Sequence, residues 1–210
     1  MSAELVIIGG GEHTCVVYDA AQADFVFVGL VDPTPAEVTL QRTGLRCLGN
    51  DEQYLRALNP THLHVLSVRV RPRDQSRQVV AQRYDAYQVK WATIVHPRAW
   101  VSPSAVLDPG VVVLAGAVIN SGARIGRHTI INSSALIEHD VHVGAFASIA
   151  PAAAIGGGTE IGEGTYVGLG ARVRDHIQVG ANALIGMGAA VIRSVDAGVT
   201  VQGVPARRTT

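Results

Sequence analysis

From Val95 onward an aliphatic residue returns at every sixth position: Val95, Val101, Leu107, Val113, Ile119, Ile125, Ile131, Ile137, Val143, Ile149, Ile155, Ile161, Val167, Val173, Val179, Ile185 and Val191. Four residues after each stands a second small or branched residue, from Ala99 and Ala105 through Thr129, Val141 and Ala147 to Ala189 and Val195. The position directly after the aliphatic one is often glycine, as at Gly126, Gly144, Gly156, Gly162, Gly168, Gly180 and Gly186. A period of six matches neither an α-helix nor a simple alternating strand. It suits short strands joined by sharp corners, with glycine expected to supply the unusual backbone angles of each corner. Three such units make a triangular coil, and successive coils stack about 4.8 Å apart. The aliphatic residues point into the prism and the small ones complete its narrow interior. The pattern therefore predicts a parallel β-helix over 93–210, with Gly203–Arg208 leaving the phase as an end piece.

The first part of the chain has a different rhythm. Leu5–Ile8 is a continuous apolar run, followed by Gly9-Gly10-Gly11 and a predicted helix from about Thr14 to Gln22. A second apolar run, Phe25–Val31, ends at Asp32-Pro33. Strand, glycine turn, helix, strand and acidic residue make a small βαβ unit. A third strand is predicted over His62–Val68, and a helix over Pro72–Tyr87 with Pro72 in its first turn. Residues 1–92 thus read as an α/β, Rossmann-like domain.

Composition narrows the function classes. Apolar residues make up 48% but aromatics only 5%, so the core is built from Val, Ile, Leu and Ala. Net charge is zero, which supplies no field for nucleic acid or an anionic membrane. Cys15 and Cys47 are too few for a disulfide scaffold and read as packing residues. The opening segment lacks a basic region followed by a long apolar run, and no apolar stretch approaches the ~20 residues of a spanning helix. A soluble cytoplasmic protein is expected.

Within a regular prism, a site shows itself as a departure from the pattern. Glu138-His139-Asp140 carries three ionisable groups in succession, with His142 close behind. One coil further on stand Gly156, Gly157 and Gly158, so the three polar residues are expected to lie beneath three residues without side chains. Acyl transfer from a thioester needs a base for the attacking amine or hydroxyl and a donor for the oxyanion. His139 suits the first task because its ordinary pKa lies near working pH. Asp140 or Glu138 could orient the ring, and the N–H of Gly157 could serve the oxyanion. The bland alternative is a polar surface histidine in a solvated turn.

The six-residue pattern resembles the hexapeptide repeat of the left-handed β-helix acyltransferases, and the handedness is taken from that resemblance. Ile137-Glu138-His139-Asp140-Val141-His142-Val143-Gly144 is similar to the E-H-(D/E)-C-x-I-G signature of bacterial sugar acetyltransferases. These include sialic acid O-acetyltransferases and N-acetyltransferases of nucleotide-linked 4-amino-4,6-dideoxy sugars. The likeness extends to the N-terminal unit and to the closing Gly203-Val204-Pro205-Ala206-Arg207. It implies an acetyl-coenzyme A-dependent homotrimer, acting in bacterial surface glycan synthesis without a metal. It further implies His139 as general base, Asp140 as its partner and Gly157 at the acyl carbonyl. Coenzyme A would lie between neighbouring prisms along Leu169, Gly170, Gly186 and Gly188, with Arg207 near its phosphates. Gly9, Gly11, His13 and Asp32 match the family's nucleotide-sugar loop, although Glu12 and Thr14 replace glycines. Val141 replaces the signature cysteine. Ser148 stands where many N-acetylating members carry a second histidine, and is assigned to the acceptor site.

The first choice of acceptor is an amino group on a nucleotide-linked 4-amino-4,6-dideoxy sugar; the second is a hydroxyl of sialic acid. A non-catalytic structural β-solenoid is the alternative of another class. A metal-dependent hydratase would need ligands from His96, His128, His142 and His176, all expected at outward or solvated positions. Arg69, Arg71, Arg73 and Arg77 read either as a solvated loop and helix start or as a phosphate contact.

Overall fold

The computed structural model describes residues 3–209 and divides into two compact units, one of Met1–Val70 with Asp74–Ile94 and the other of Arg71–Arg73 with Val95–Thr210. The first unit runs β1 (Ala3–Ile8), α1 (His13–Ala21), β2 (Phe25–Val31), α2 (Glu37–Thr43), α3 (Asp51–Arg56), β3 (Leu63–Leu66), α4 (Ser76–Asp85) and β4 (Lys90–Trp91). Its four strands form a parallel sheet in the order β2-β1-β3-β4. β1 is central, and Leu5, Val6, Ile7 and Ile8 are buried, as an apolar run covered on both faces should be. The chain moves from β1 to one side and then returns to the other. The carboxyl ends of β1 and β3 therefore flank a topological switch point, where open α/β sheets place their ligands. The glycine loop begins there.

Two helices lie outside the predicted elements. α2 ends on Gly44, whose φ of 66° is the left-handed helix stop. α3 opens on a capping box: the Asn50 side chain accepts from Gln53 N–H, and the Gln53 side chain accepts from Asn50 N–H. The expectation for Pro72 is overturned. α4 starts at Ser76, whose N–H donates to Asp74 Oδ1, and Pro72 stands before it in the segment 71–73 that belongs to the second unit. There Arg73 donates from Nη2 to Gly198 O at 2.6 Å and to Thr200 Oγ1 at 2.7 Å. A helix continuing back through Pro72 would break that tie.

The second unit is a left-handed β-helix. Two-residue strands recur from Ile94–Val95 to Ala190–Val191, each followed by a corner. They stack into three parallel sheets, which among the described residues hold five, six and eight strands, the last including an antiparallel end pair. Like lies on like: Ile137 pairs with Ile155, Ile131 with Ile149 and Val143 with Ile161. The aliphatic residues and their small companions form one continuous core. Threonine at the small position is fully buried yet satisfied: Thr129, Thr159 and Thr165 donate to the carbonyls of Gly144, Arg174 and Gly180.

The glycine after each aliphatic residue does not supply a special backbone angle, contrary to expectation. Gly126, Gly144, Gly162 and Gly180 are absent from the positive-φ positions, which fall two residues later, at Gly158, Gly164 and Gly170 and also at Ser134, Asp140 and Asn182. The first set is glycine because the coils approach closely: a Cβ on Gly162 would sit 2.4 Å from Ala181 N.

Candidate active site

The strand Leu136–Ile137 belongs to the six-stranded sheet and His142–Val143 to the five-stranded one, so Glu138–Val141 turn one edge of the prism. Val141 is buried, and Asp140 takes the left-handed place at φ 57°. That backbone turns its carboxylate onto the preceding ring: His139 Nδ1 lies 3.0 Å from Asp140 Oδ2. A carboxylate only accepts, so Nδ1 carries the hydrogen and Nε2 keeps its lone pair. The Asp140 hydrogen bond is the main cause that raises the pKa of His139; desolvation opposes it, and the charges of Asp140 and Glu138 add to the rise. Both side chains remain largely exposed.

Above the ring is Gly157. A Cβ there would meet His139 Nε2 at 2.7 Å and Cε1 at 2.8 Å, so this residue is glycine because an imidazole occupies the space. The backbone around it is fixed: Gly158 N–H donates to His139 O, and His176 N–H donates to Gly157 O, each at 2.9 Å. The Gly157 N–H donates to no acceptor among the described residues. Corner amides such as those of Ala145 and Leu169 share that freedom, so the facing imidazole is what distinguishes Gly157. Its neighbours do not share this role. A Cβ on Gly156 would strike Asp175 N at 2.5 Å, and Gly158 combines φ 62° with the ring of His176. Of the three bare residues expected over the polar triplet, only Gly157 faces the histidine.

Two residues of the coil beneath were missed. Asn120 donates from Nδ2 to Glu138 Oε2 at 3.1 Å, while that oxygen also accepts from His139 N–H. A Cβ on Gly122 would lie 2.4 Å from Asp140 Oδ1, so Gly122 makes room for the carboxylate. The coil repeat pointed backward to both as plainly as it pointed forward to Gly157.

The other expected residues lie elsewhere on the prism. Ser148 is buried in the eight-stranded sheet, a full face away from the His139 edge. Leu169–Gly170 and Gly186–Gly188 stack on a second edge, joined by Gly188 N–H donating to Leu169 O at 2.9 Å. Gly170 and Gly188 border open space, Leu169 is 54% exposed, and a Cβ on Gly186 would meet Gln202 Cβ. Arg207 is exposed at the end piece. His128 corrects the expectation of an outward ring: it is fully buried and stacked on Phe146 at 5.0 Å. Among the described residues no three His, Cys, Asp or Glu side chains are placed to hold a metal ion.

In the first unit, two of the loop glycines answer to packing. A Cβ on Gly9 would lie 2.8 Å from Ser67 C, and one on Gly10 would lie 2.6 Å from Pro35 Cβ. Gly11 faces open space. Asp32 anchors the loop, accepting from Gly10 N–H at 2.7 Å and from Thr34 N–H at 2.8 Å. His13 opens α1, and its Nε2 is buried without a hydrogen-bond partner. Burial, with the charge of Arg77 added, pushes its pKa down to about 4. Arg77 is itself buried, not part of a solvated helix start, and burial lowers its pKa to about 10.

No family model matches the sequence, and no curated protein is recognisably similar to it. Solved structures are. A point mutant of the perosamine N-acetyltransferase of Caulobacter crescentus, in complex with CoA and GDP-perosamine, superposes with a TM-score of 0.90 at 31% identity, over 99% of this chain and 97% of that one. The chain belongs to the hexapeptide-repeat sugar acetyltransferases. The acetyltransferase domain of PglB from Neisseria gonorrhoeae, in complex with acetyl coenzyme A, matches with a TM-score of 0.89 at 29% identity over the whole of both chains. WeeI from Acinetobacter baumannii, at 20% identity and a TM-score of 0.83, shares the fold. Membership makes the chain an acetyltransferase and accounts for the joining of an α/β unit to a left-handed β-helix. No helix among the described residues is long and apolar enough to cross a membrane.

Proposed function

We propose that this acetyltransferase moves an acetyl group from acetyl-coenzyme A to the amino group of a nucleotide-linked 4-amino-4,6-dideoxy sugar for bacterial surface glycan synthesis. The observation that carries the reading is the His139 ring, tied at Nδ1 to Asp140 and presenting Nε2 to the bare backbone of Gly157. As the acceptor nitrogen attacks the thioester carbon, His139 Nε2 takes its proton. Asp140 stabilises the imidazolium that results. The carbonyl oxygen becomes an oxyanion at the Gly157 N–H. Collapse of the tetrahedral intermediate breaks the carbon–sulfur bond, and the imidazolium returns the proton to the departing thiolate.

The relatives bound to GDP-perosamine and to acetyl coenzyme A support both substrate classes. In the first unit, Gly11 and His13 would meet the nucleotide sugar at the switch point, with Gly9 and Asp32 shaping the loop. Leu169, Gly170, Gly186 and Gly188 would line the coenzyme channel, with Arg207 beyond them. They occupy a different edge from His139, so a neighbouring chain would bring the two edges together; a homotrimer satisfies this by symmetry. Ser148, a full face away from the His139 edge of its own chain, would reach the acceptor only from a neighbouring chain.

The test is a panel of nucleotide-linked amino sugars and free sialic acid, each incubated with acetyl-coenzyme A. Amide formation on a nucleotide-linked amino sugar, lost by at least ~10² in kcat in His139→Asn, is expected on the scale of general-base catalysis. Acetylation of sialic acid alone would reverse the acceptor, and full activity in His139→Asn would remove the mechanism.

A further inference from the structure

The faces of the prism differ in what they show to the outside. On the six-stranded sheet the outward residue of each strand is the one before the aliphatic position, and the stacked column runs Trp100, Val118, Leu136, Ala154, Arg172 and Ala190. Five of these are apolar, none is buried, and Trp100 is 59% exposed. The matching column of the five-stranded sheet is Val106, Arg124, His142, Glu160 and Gln178, the mixture expected of a face left in water. A continuous apolar face is more often covered by a partner. Arg172 interrupts it. The rungs on either side carry Ala154 and Ala190, too short to pair with or shield a guanidinium. Arg172 makes no side-chain hydrogen bond or ion pair among the described residues. Asp175, the acid nearest to it in sequence, lies 4.0 Å from Arg174 Nε instead.

We infer that in the trimer three copies of Arg172 converge on the threefold axis and hold one tetrahedral oxyanion, such as inorganic phosphate or sulfate. The inference rests on the homotrimer reading above and adds a ligand to its centre. The His139 edge and the edge of Leu169 and Gly188 both border the six-stranded face. A closed ring that joins the first edge of one chain to the second edge of the next turns this face toward the axis. A side of six residues spans at most about 20 Å, so where the edges meet the axis stands about 6 Å from each face. The three arginines lie at one height, and the alanines on the adjoining rungs leave the space around the axis to them. Three like charges among apolar neighbours are unfavourable unless a counter-charge satisfies them, and the column supplies no acid. A tetrahedral oxyanion viewed down one of its bonds has threefold symmetry. Three oxygens meet three guanidinium forks, and the fourth points along the axis. A planar carboxylate cannot serve three equivalent donors in this way.

The experiment needs neither coenzyme nor acceptor. The full chain, purified in chloride, is titrated with inorganic phosphate by calorimetry at fixed ionic strength, and its mass is followed by sedimentation. The expected result is a trimer that takes up one phosphate per three chains, a stoichiometry that a site within each chain cannot give. Arg172→Leu should stay trimeric and lose that binding, because leucine completes the apolar column. A trimer that binds no phosphate, or binds it only at one per chain, would overturn the inference and leave the homotrimer standing. Binding at one per three chains that persists in Arg172→Leu would refute the choice of residue. A chain that sediments as a monomer would remove the homotrimer reading, and the inference with it.

Discussion

At the scale of single residues, the site is a contest for one proton. Asp140 holds His139 in the tautomer that a base needs and also raises its pKa, so the ring is charged, and inactive as a base, over more of the acid range. Asp140→Asn should therefore have two effects of different kinds. The acid limb of kcat/KM should move to lower pH, because the ring loses the hydrogen bond and charge that favoured its protonated form. The plateau should fall by roughly 10²-fold or more, because the imidazolium formed during attack loses its counter-charge. A pH–rate profile separates the two, and an unmoved acid limb would show that the pair does not set the titration. His139, Asp140 and Gly157 were legible because a fixed coil length makes residues far apart in sequence neighbours in space. His128 was not. Its corner position follows the same phase as exposed ones, and only the ring of Phe146 one coil on shows that it is covered.

At the scale of elements, corner glycines with different physical causes should respond differently to the same methyl group. Gly162→Ala drives a Cβ to 2.4 Å from a backbone nitrogen that cannot retreat without parting two coils. Gly198→Ala meets nothing within 4 Å and suffers only its φ of 71°. The first should cost at least about 3 kcal/mol, at the top of the overpacking range, and the second about 1–2 kcal/mol from left-handed backbone alone. Urea unfolding of the two variants measures the difference, and equal costs would refute the close-approach account. The sequence pattern located Gly162 but misassigned its cause, since periodicity marks where a corner falls and not which corner residue turns the chain. The signals for α2 and α3 were present in Gly44 and in the Asn50–Gln53 pair. Pro72 misled because a first-turn proline and a proline in a connecting segment look alike until the next element is placed.

At the scale of the whole molecule, the α/β unit carries an acid sensitivity of its own. His64 is buried in β3, its Nε2 2.8 Å from the Tyr54 hydroxyl, and burial lowers its pKa to about 4, as it does for His13. The unfolded chain binds these protons near pH 6.5 and the folded one does not, so stability is full above that pH and declines as pH falls toward 4. Unfolding free energies from urea titrations followed by tryptophan fluorescence should drop across this window, by on the order of a few kcal/mol in total. A flat profile between pH 7 and 4.5 would contradict the burial of both rings.

The chain by itself determined the prism, its inward-facing residues, the βαβ opening and the juxtaposition of an imidazole with a bare rung, because these follow from repeat length and local chemistry. Only the folded structure decided which corner glycines serve backbone angle and which serve close approach. It also decided that Asn120 and Gly122 buttress the site from beneath. Such facts depend on distances between coils and on what covers each side chain, and a one-dimensional pattern carries phase but not distance.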